Sequence, residues 1–528
     1  MAAEKLQIPL TQNFEMTRFL QIAIFSATVG FLSILTAMQV QAQELTRSPQ
    51  PTKEDIALAA AFAQLDIPCC MLTTQDSVEL PYRMQIAPEG YCGRTAMDNV
   101  YVPSRLVIVQ RGDTLYDSGE YVAGVSGVRA KIRGNMSADS EYSLPSVKIK
   151  LSKKYDLLFR GDDELRDKEW LLLNYLSSYN FTCLTGHILG NLAFGSWQPA
   201  MRYATFVING VPRGIFLLSE SIKAADHRVD IAPDGFLIEN DAYAWSVPDE
   251  PQFSSILLPY FFSFTYKYPN PDDVTPGLND EIAAFVQEAE QALTQGEDVS
   301  TYFDLASFAT WLVCQDILGS IDPAGTNMYV KRETCQAGGT KSSLLQAGPI
   351  WDFDGCMHPG YIDNEWAYIH DCNSGFFWIK EMMKRPEFVD AYGECWERIR
   401  PQVYNVVTDS LSRLIERDGP SIDRAFSLIH RYETGERLLA NVRSWLEMRL
   451  AWMDVAVKEM LEPDYLPGIT DEREYITQIY SMQGILLRTE QAPRDTWWHT
   501  LSPDCYIVRT IYPGGAPTRV EKAFVKGR

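Results

Sequence analysis

The sequence predicts an α+β protein, with a β-rich N-terminal half, a helical C-terminal half and a small all-β C-terminal segment. Three observations predict it. From Asn99 to Leu151 apolar and polar residues alternate in short runs bounded by Gly, Pro and Asp, the period of half-buried strands. From Asp280 the apolar residues fall at helical spacing instead. After Pro463 and the Pro467-Gly468 pair the strand pattern returns. At 528 residues, with 46% apolar and 12% aromatic side chains, the chain is folded and too long for a single core.

Taken in order, the chain opens with an export pattern. TRFLQIAIFSATVGFLSILTAMQVQAQE, from Thr17, follows one positive charge with an apolar stretch and a small-x-small end at Val40 and Ala42 once Arg18 is counted, so residues 1–42 read as a signal peptide cleaved after Ala42. Residues 1–15 fit no part of such a signal, and Met16 is a natural start. The apolar stretch is also long enough for an uncleaved anchor. Residues 43–80 read as a linker and a short helix, EDIALAAAFAQLD. The main domain, 81–461, begins with strands in VYVPSRLVIVQRGDTLYDSG, GVSGVRAKIRGN, PSVKIKLSKK and MRYATFVINGVPRGIFLLSESI, the last with a hairpin turn at Asn209-Gly210. DEIAAFVQEAEQAL, YFDLASFATWLVCQDILGSI and two long segments, roughly Pro386 to Asp418 and Pro420 to Leu461, supply the helices. Residues 462–528 form the small β segment.

The formal charge is −22 and stays so without the first 42 residues, whose two acidic and two basic residues cancel. Such a surface repels phosphate backbones, so nucleic acid is not expected as a partner. Ten cysteines form no CxxC pair and no zinc-ligand spacing, which argues against structural zinc. In an exported chain their even number permits disulfides whose pairing the sequence does not give.

The chemistry concentrates in two loops. In GPIWDFDGCMHPGY, residues 348–361, Asp352 and Asp354 are spaced to converge on one cation or to face water from a strand edge. Upstream, GSIDPAGTNMYVKRE carries Asp322 and Asn327 five apart across a Pro-Gly loop. Phosphoryl transfer needs a carboxylate near the acceptor hydroxyl, oxygen ligands for magnesium and basic groups on the phosphates. Protein kinases order these as D-x-x-x-x-N followed by an aspartate before Phe, and Asp322, Asn327, Asp352 and Asp354 follow that order. D-x-x-x-x-N alone is an ordinary loop pattern. His358, Asp363, His370 and Asp371 offer a mixed hydrolytic metal set, but no H-x-x-x-H or H-E-x-x-H spacing supports it, and no G-x-S-x-G elbow is present.

More of the chain lines up beyond these loops. IRGN (132–135), VKIKL (147–151), KEWLLLNY (168–175), NGVPRGIFLLSESI (209–222), GFLIEND (235–241), FATWLVCQDILGSID (308–322) and GPIWDFDG (348–355) resemble, in order, segments of the CotH family of spore-coat-type atypical kinases, over about residues 100 to 455. The resemblance implies a divergent protein-kinase-like fold of two lobes that binds ATP with Mg2+ or Mn2+ and phosphorylates protein hydroxyls. Carried onto this sequence, it makes Asp322 the catalytic carboxylate, Asn327 a metal or loop partner, and Asp352 and Asp354 metal ligands. Lys148 and Lys150, on one strand face, would grip the phosphates, with Glu220 as the acidic group that positions them and Arg133 as a further phosphate ligand. The sequence departs from the family at Leu144-Pro145, where two lysines are usual, and at Ser177, Tyr179, Thr182 and Cys183, which lie on the expected phosphate side. The C-terminal segment, with Gly484 and Tyr506-Ile507-Val508, resembles the sorting-type domain of secreted Bacteroidetes proteins, though Asp504-Cys505 stands where glycine and an apolar residue are usual.

Two functions therefore stand open. One is an exported kinase acting on Ser or Thr of a surface or secreted protein, with its tail addressed by the export machinery. The other is a surface binding or adhesion protein that keeps the fold without turnover.

Overall fold

A computed structural model of the chain describes residues 47–82, 100–134, 145–174, 179–241, 244, 250–257, 263–320, 327–357 and 377–461, together with four strands between 476 and 525. The signal pattern at 1–42 lies outside these residues. The first helix, α1 (Lys53–Ala63), starts at Thr52 in a reciprocal cap: Asp55 N donates to Thr52 Oγ1 at 3.1 Å and Thr52 N donates to Asp55 Oδ2 at 2.8 Å. Eight strands follow, with one helix between the sixth and seventh: β1 (Cys69–Thr74), β2 (Val102–Gln110), β3 (Asp113–Asp117), β4 (Val128–Arg133), β5 (Ser146–Tyr155), β6 (Asp167–Leu173), α2 (Tyr179–Phe194), β7 (Met201–Ile208) and β8 (Val211–Glu220).

Seven of these strands close on themselves in the order β1-β7-β8-β6-β5-β4-β2, with β2 returning to β1 and β3 attached to the free part of the β2 edge. The β1–β7 pair is parallel and the remaining pairs are antiparallel. The alternation that marked the strands assigns their two faces. Ile132, Val147, Ile149, Trp170, Leu172, Phe216 and Leu218 fill the barrel interior. Leu171, Leu173, Tyr203, Val207 and Leu217 point outward into the core shared with the helices. Each large side chain so buried contributes about 1.5–3 kcal/mol, so a one-residue register slip would cost more than any local preference could restore.

The helical half encloses a second, five-stranded antiparallel sheet, ordered β10-β11-β9-β12-β13. Its strands are β9 (Phe236–Asp241), β10 (Gln252–Ser254), β11 (Ser263–Tyr268), β12 (Met328–Arg332) and β13 (Gln346–Ala347). Around it lie α3 (Pro276–Gln295), α4 (Leu305–Leu318), α5 (Phe377–Met382), α6 (Pro386–Leu428) and α7 (Gly435–Met460). Every residue of α4 from Phe308 to Leu318 is buried, which is why its sequence is apolar all round. Gly319 ends it at φ 59°, with Trp445 of α7 so close that an added Cβ would lie 2.7 Å from the indole. The C-terminal strands β14 (Ile476–Ser481), β15 (Leu486–Gln491), β16 (Asp504–Ile511) and β17 (Arg519–Val525) form a separate antiparallel sheet ordered β15-β14-β16-β17.

The β-rich first half and helical second half are as the sequence predicts, but four details differ. Residues 43–80 are more than linker and helix, because β1 supplies the strand that closes the barrel. The barrel itself is invisible to periodicity, which reports faces and not closure. The two long helices do not part at Pro420: α6 runs through it to Leu428, and the break comes at residues 429–434, where His430 takes φ 59° and Thr434 caps α7. A proline removes one N–H from a helix, and the buried side chains along α6 outweigh that loss. Helix α2 is missed by the sequence pattern, its Thr182, Gly186 and Gly190 being weak helix formers.

Candidate functional site

Helix α2 builds one side of the site. Thr182, Gly186 and Gly190 recur every four residues and so share a face. Against that face lies the segment leaving β13. Ile350 N donates to Gln198 Oε1 at 3.0 Å and its side chain fills the space left open at Gly190. Phe353, wholly buried, lies over Gly186, where a Cβ would meet its ring at 2.1 Å. His187 meets Trp351 and Phe353 edge-on at 5.7 and 5.6 Å. The Thr182 hydroxyl donates to the Phe353 carbonyl at 2.6 Å. Because Trp351 and Phe353 are drawn inward, the alternate residues Asp352 and Asp354 remain half-buried. Asp352 takes φ 63°, a left-handed conformation costly for any residue but glycine and tolerated most readily by Asn and Asp. Burial raises the Asp354 carboxyl above its ordinary range. Burial, then the charges of Asp352 and Asp354, push the Cys183 thiol up.

The outer face of β4 and β5 supplies the other side. Register pairs Arg129 with Lys150, Lys131 with Lys148, and Arg133 with Ser146, all on the face away from the barrel interior. Glu169 of β6 stands among them: Lys148 Nζ lies 2.8 Å, Lys150 Nζ 3.8 Å and Lys223 Nζ 3.9 Å from its carboxylate. Burial alone would raise the Glu169 carboxyl, but Lys148, Lys223 and Lys150 together hold it at about 2. The two sides touch at the end of β4. The Arg133 guanidinium sits 5.7 Å from the centre of the Trp351 ring, joining the end of β4 to the segment that bears the aspartates.

Comparison with known families assigns the chain. Residues 130–453 match the family described as CotH kinase protein, well over half of the chain. The chain belongs to the CotH family. No curated protein matches it. The CotH match runs from Ala130 in β4 to Met453 in α7, so it contains both sides of the site but not β1 to β3 or the C-terminal sheet.

Within this CotH chain the candidate residues divide. Lys148, Lys150 and Arg133 share the outer barrel face, and Asp352 and Asp354 lie across from them on the β13 segment. Asn327, buried, immediately precedes β12, whose Tyr329 carbonyl accepts from Gly348 N at 2.9 Å; the same hairpin thus brings Asn327 and the aspartates to one end. Asp322 lies outside the described residues, as do Leu144, Ser177, His358, Asp363, His370 and Asp371 and the Tyr179 side chain. Glu220 does not position the lysines. Register aligns it with Trp170 and Ile149, on the interior face, while Lys148 aligns with Leu171 and Ser219 on the exterior. Its carboxylate, fully buried, accepts from Arg160 at 2.9 Å, Ala200 N at 3.0 Å and Trp197 Nε1 at 3.2 Å. The acidic partner of the lysines is Glu169, legible beforehand only in that KEWLLLNY puts a glutamate on a strand of the same sheet. Thr182 and Cys183, expected on the phosphate side, lie against the segment that bears the aspartates: the Thr182 hydroxyl donates to the Phe353 carbonyl, and the Asp352 and Asp354 charges reach the Cys183 thiol. Pro145 immediately precedes β5 and lines a cavity at the barrel end. Among the described residues no three His, Cys, Asp or Glu side chains form a metal cluster. Two carboxylates completed by substrate oxygens is the usual arrangement for magnesium, so the donors present fit that ion better than a fully protein-caged one.

Proposed function

We propose that this CotH chain is an ATP-dependent protein kinase with a divergent two-lobe kinase-like fold, transferring phosphate to Ser or Thr of a surface or secreted protein. The single observation that carries the reading is the Arg133–Trp351 contact, which sets a basic strand face against a pair of half-buried carboxylates. Lys148, steadied by Glu169, would donate to phosphate oxygens from below. Arg133 would add a second donor set, since among the described residues its guanidinium makes no hydrogen bond or ion pair while it lies beside the Trp351 ring. Asp352 and Asp354, with Asn327, would hold Mg2+ or Mn2+, which when bound neutralises charge on the transferring phosphate. Asp322 would take the acceptor proton. The export pattern at 1–42 supports action outside the cytoplasm, and the C-terminal sheet is the part an export machinery would read.

The test is to incubate the chain from Gln43 onward with labelled ATP and magnesium or manganese, in the presence of a cell-envelope extract. Label is expected on the chain itself or on an envelope protein, and D352A and D354A should each abolish it together with metal-dependent nucleotide binding. A parent that neither transfers label nor binds nucleotide in calorimetry overturns the reading and leaves the binding or adhesion function.

A further inference from the structure

The closed barrel is not completely filled. At one end a cavity of about 60 Å³ lies among Ile132, Val147, Phe206, Ile208 and Phe216, all members of the interior core. Its mouth is framed by two pieces of chain that precede the CotH match. Ser48 is pinned there by Ser77 O, which accepts from Ser48 N at 2.7 Å, and by Asn209 Nδ2, which donates to Ser48 Oγ at 2.8 Å. The other piece contributes Glu79, Leu80 and Tyr82.

Two opposite charges stand at this mouth, Arg213 from the start of β8 and Glu79. Among the described residues neither side chain makes an ion pair or hydrogen bond, with the other or with anything else. Asp55, whose carboxylate feels the Arg213 charge, is engaged by both the backbone and the hydroxyl of Thr52. An apolar slot with an unpaired cation and an unpaired anion at its rim suits a ligand that carries both charges next to a small hydrocarbon group. The size sets the limit, because an apolar cavity of about 150 Å³ accommodates a benzene ring and this one is well under half of that.

We propose that the barrel mouth is a binding site for a small aliphatic α-amino acid. Its carboxylate pairs with Arg213, its ammonium group with Glu79, and its side chain enters the slot over Phe206 and Phe216. The site is distinct from the one between the barrel and α2. Ile132 and Val147 point into the barrel, whereas their neighbours Arg133 and Lys148 point out of it, so one thickness of sheet separates the two. The inference therefore stands whether or not the chain transfers phosphate.

Calorimetry of the whole chain with L-valine tests it. Saturable binding is expected at millimolar concentration or below, with isobutylamine, 3-methylbutanoate and L-phenylalanine all much weaker. R213Q and E79Q, both at partly exposed positions, should each weaken valine binding by about tenfold or more, the worth of one charge-assisted hydrogen bond. R213Q should also lose the preference for valine over isobutylamine. I208F, which fills the slot, should abolish binding, and the two charge variants keep the test decisive if that variant fails to fold. Absence of saturable valine binding by the parent, or phenylalanine binding as tightly as valine, overturns the proposal. So does valine affinity unchanged in both R213Q and E79Q.

Discussion

At Gly186 the space for a side chain is already taken, since a Cβ there would lie 2.1 Å from the Phe353 ring. G186A should therefore lower stability by about 1–3 kcal/mol in urea unfolding and displace the segment that bears Asp352 and Asp354, so that metal-dependent nucleotide binding falls with it. Glu169 carries a separate prediction. Its carboxyl is held at about 2 when folded against an ordinary 4.5, mainly by Lys148, Lys223 and Lys150 acting against burial. A carboxyl held low in the folded state contributes stability that is complete above 4.5 and is lost as the pH falls toward 2. E169Q should remove that contribution, at most about 3 kcal/mol near neutral pH. Parent and variant should converge in stability as the pH is lowered through this window; a difference that stays constant from pH 7 to pH 2 would contradict the assignment.

Strand faces decide which residues act together at the scale of the element. Lys148 and Glu220 both looked like members of a phosphate grip, yet alternation along β5, β6 and β8 puts them on opposite sides of the sheet. K148M should weaken nucleotide binding about tenfold or more while leaving the barrel folded. E220Q should do the reverse, with nucleotide affinity retained and stability reduced by about 1–3 kcal/mol, because the wholly buried Glu220 carboxylate accepts from Arg160, Ala200 N and Trp197 Nε1, and an amide there leaves one of these donors unsatisfied. Both outcomes are read from calorimetry and denaturant melts of the same two variants. Helix α2 teaches a related point. Its residues are poor helix formers, and the helix persists because Phe353 and Ile350 pack where Gly186 and Gly190 leave room.

Over the whole molecule, the chain carries a closed barrel, a helical half with its own five-stranded sheet, and a C-terminal sheet. Among the described residues the last pairs its four strands only with one another, so a chain ending at Leu461 should keep the parent's main unfolding transition; loss of that transition would show that the sheet is integral to the fold. The sequence by itself determined the class of each half, the Asn209-Gly210 hairpin, most helix positions, and the loops from which Asn327, Asp352 and Asp354 come, because periodicity, turn chemistry and residue order are local properties. Tertiary structure alone decided that β1 closes a barrel, that Glu169 and not Glu220 stands among the lysines, that Thr182 and Cys183 lie against the segment that bears the aspartates, and that Arg133 reaches Trp351. Each of those is a contact between residues far apart in the chain, fixed by strand register and by which side chains fit together in the core. No local pattern of residue types encodes that information.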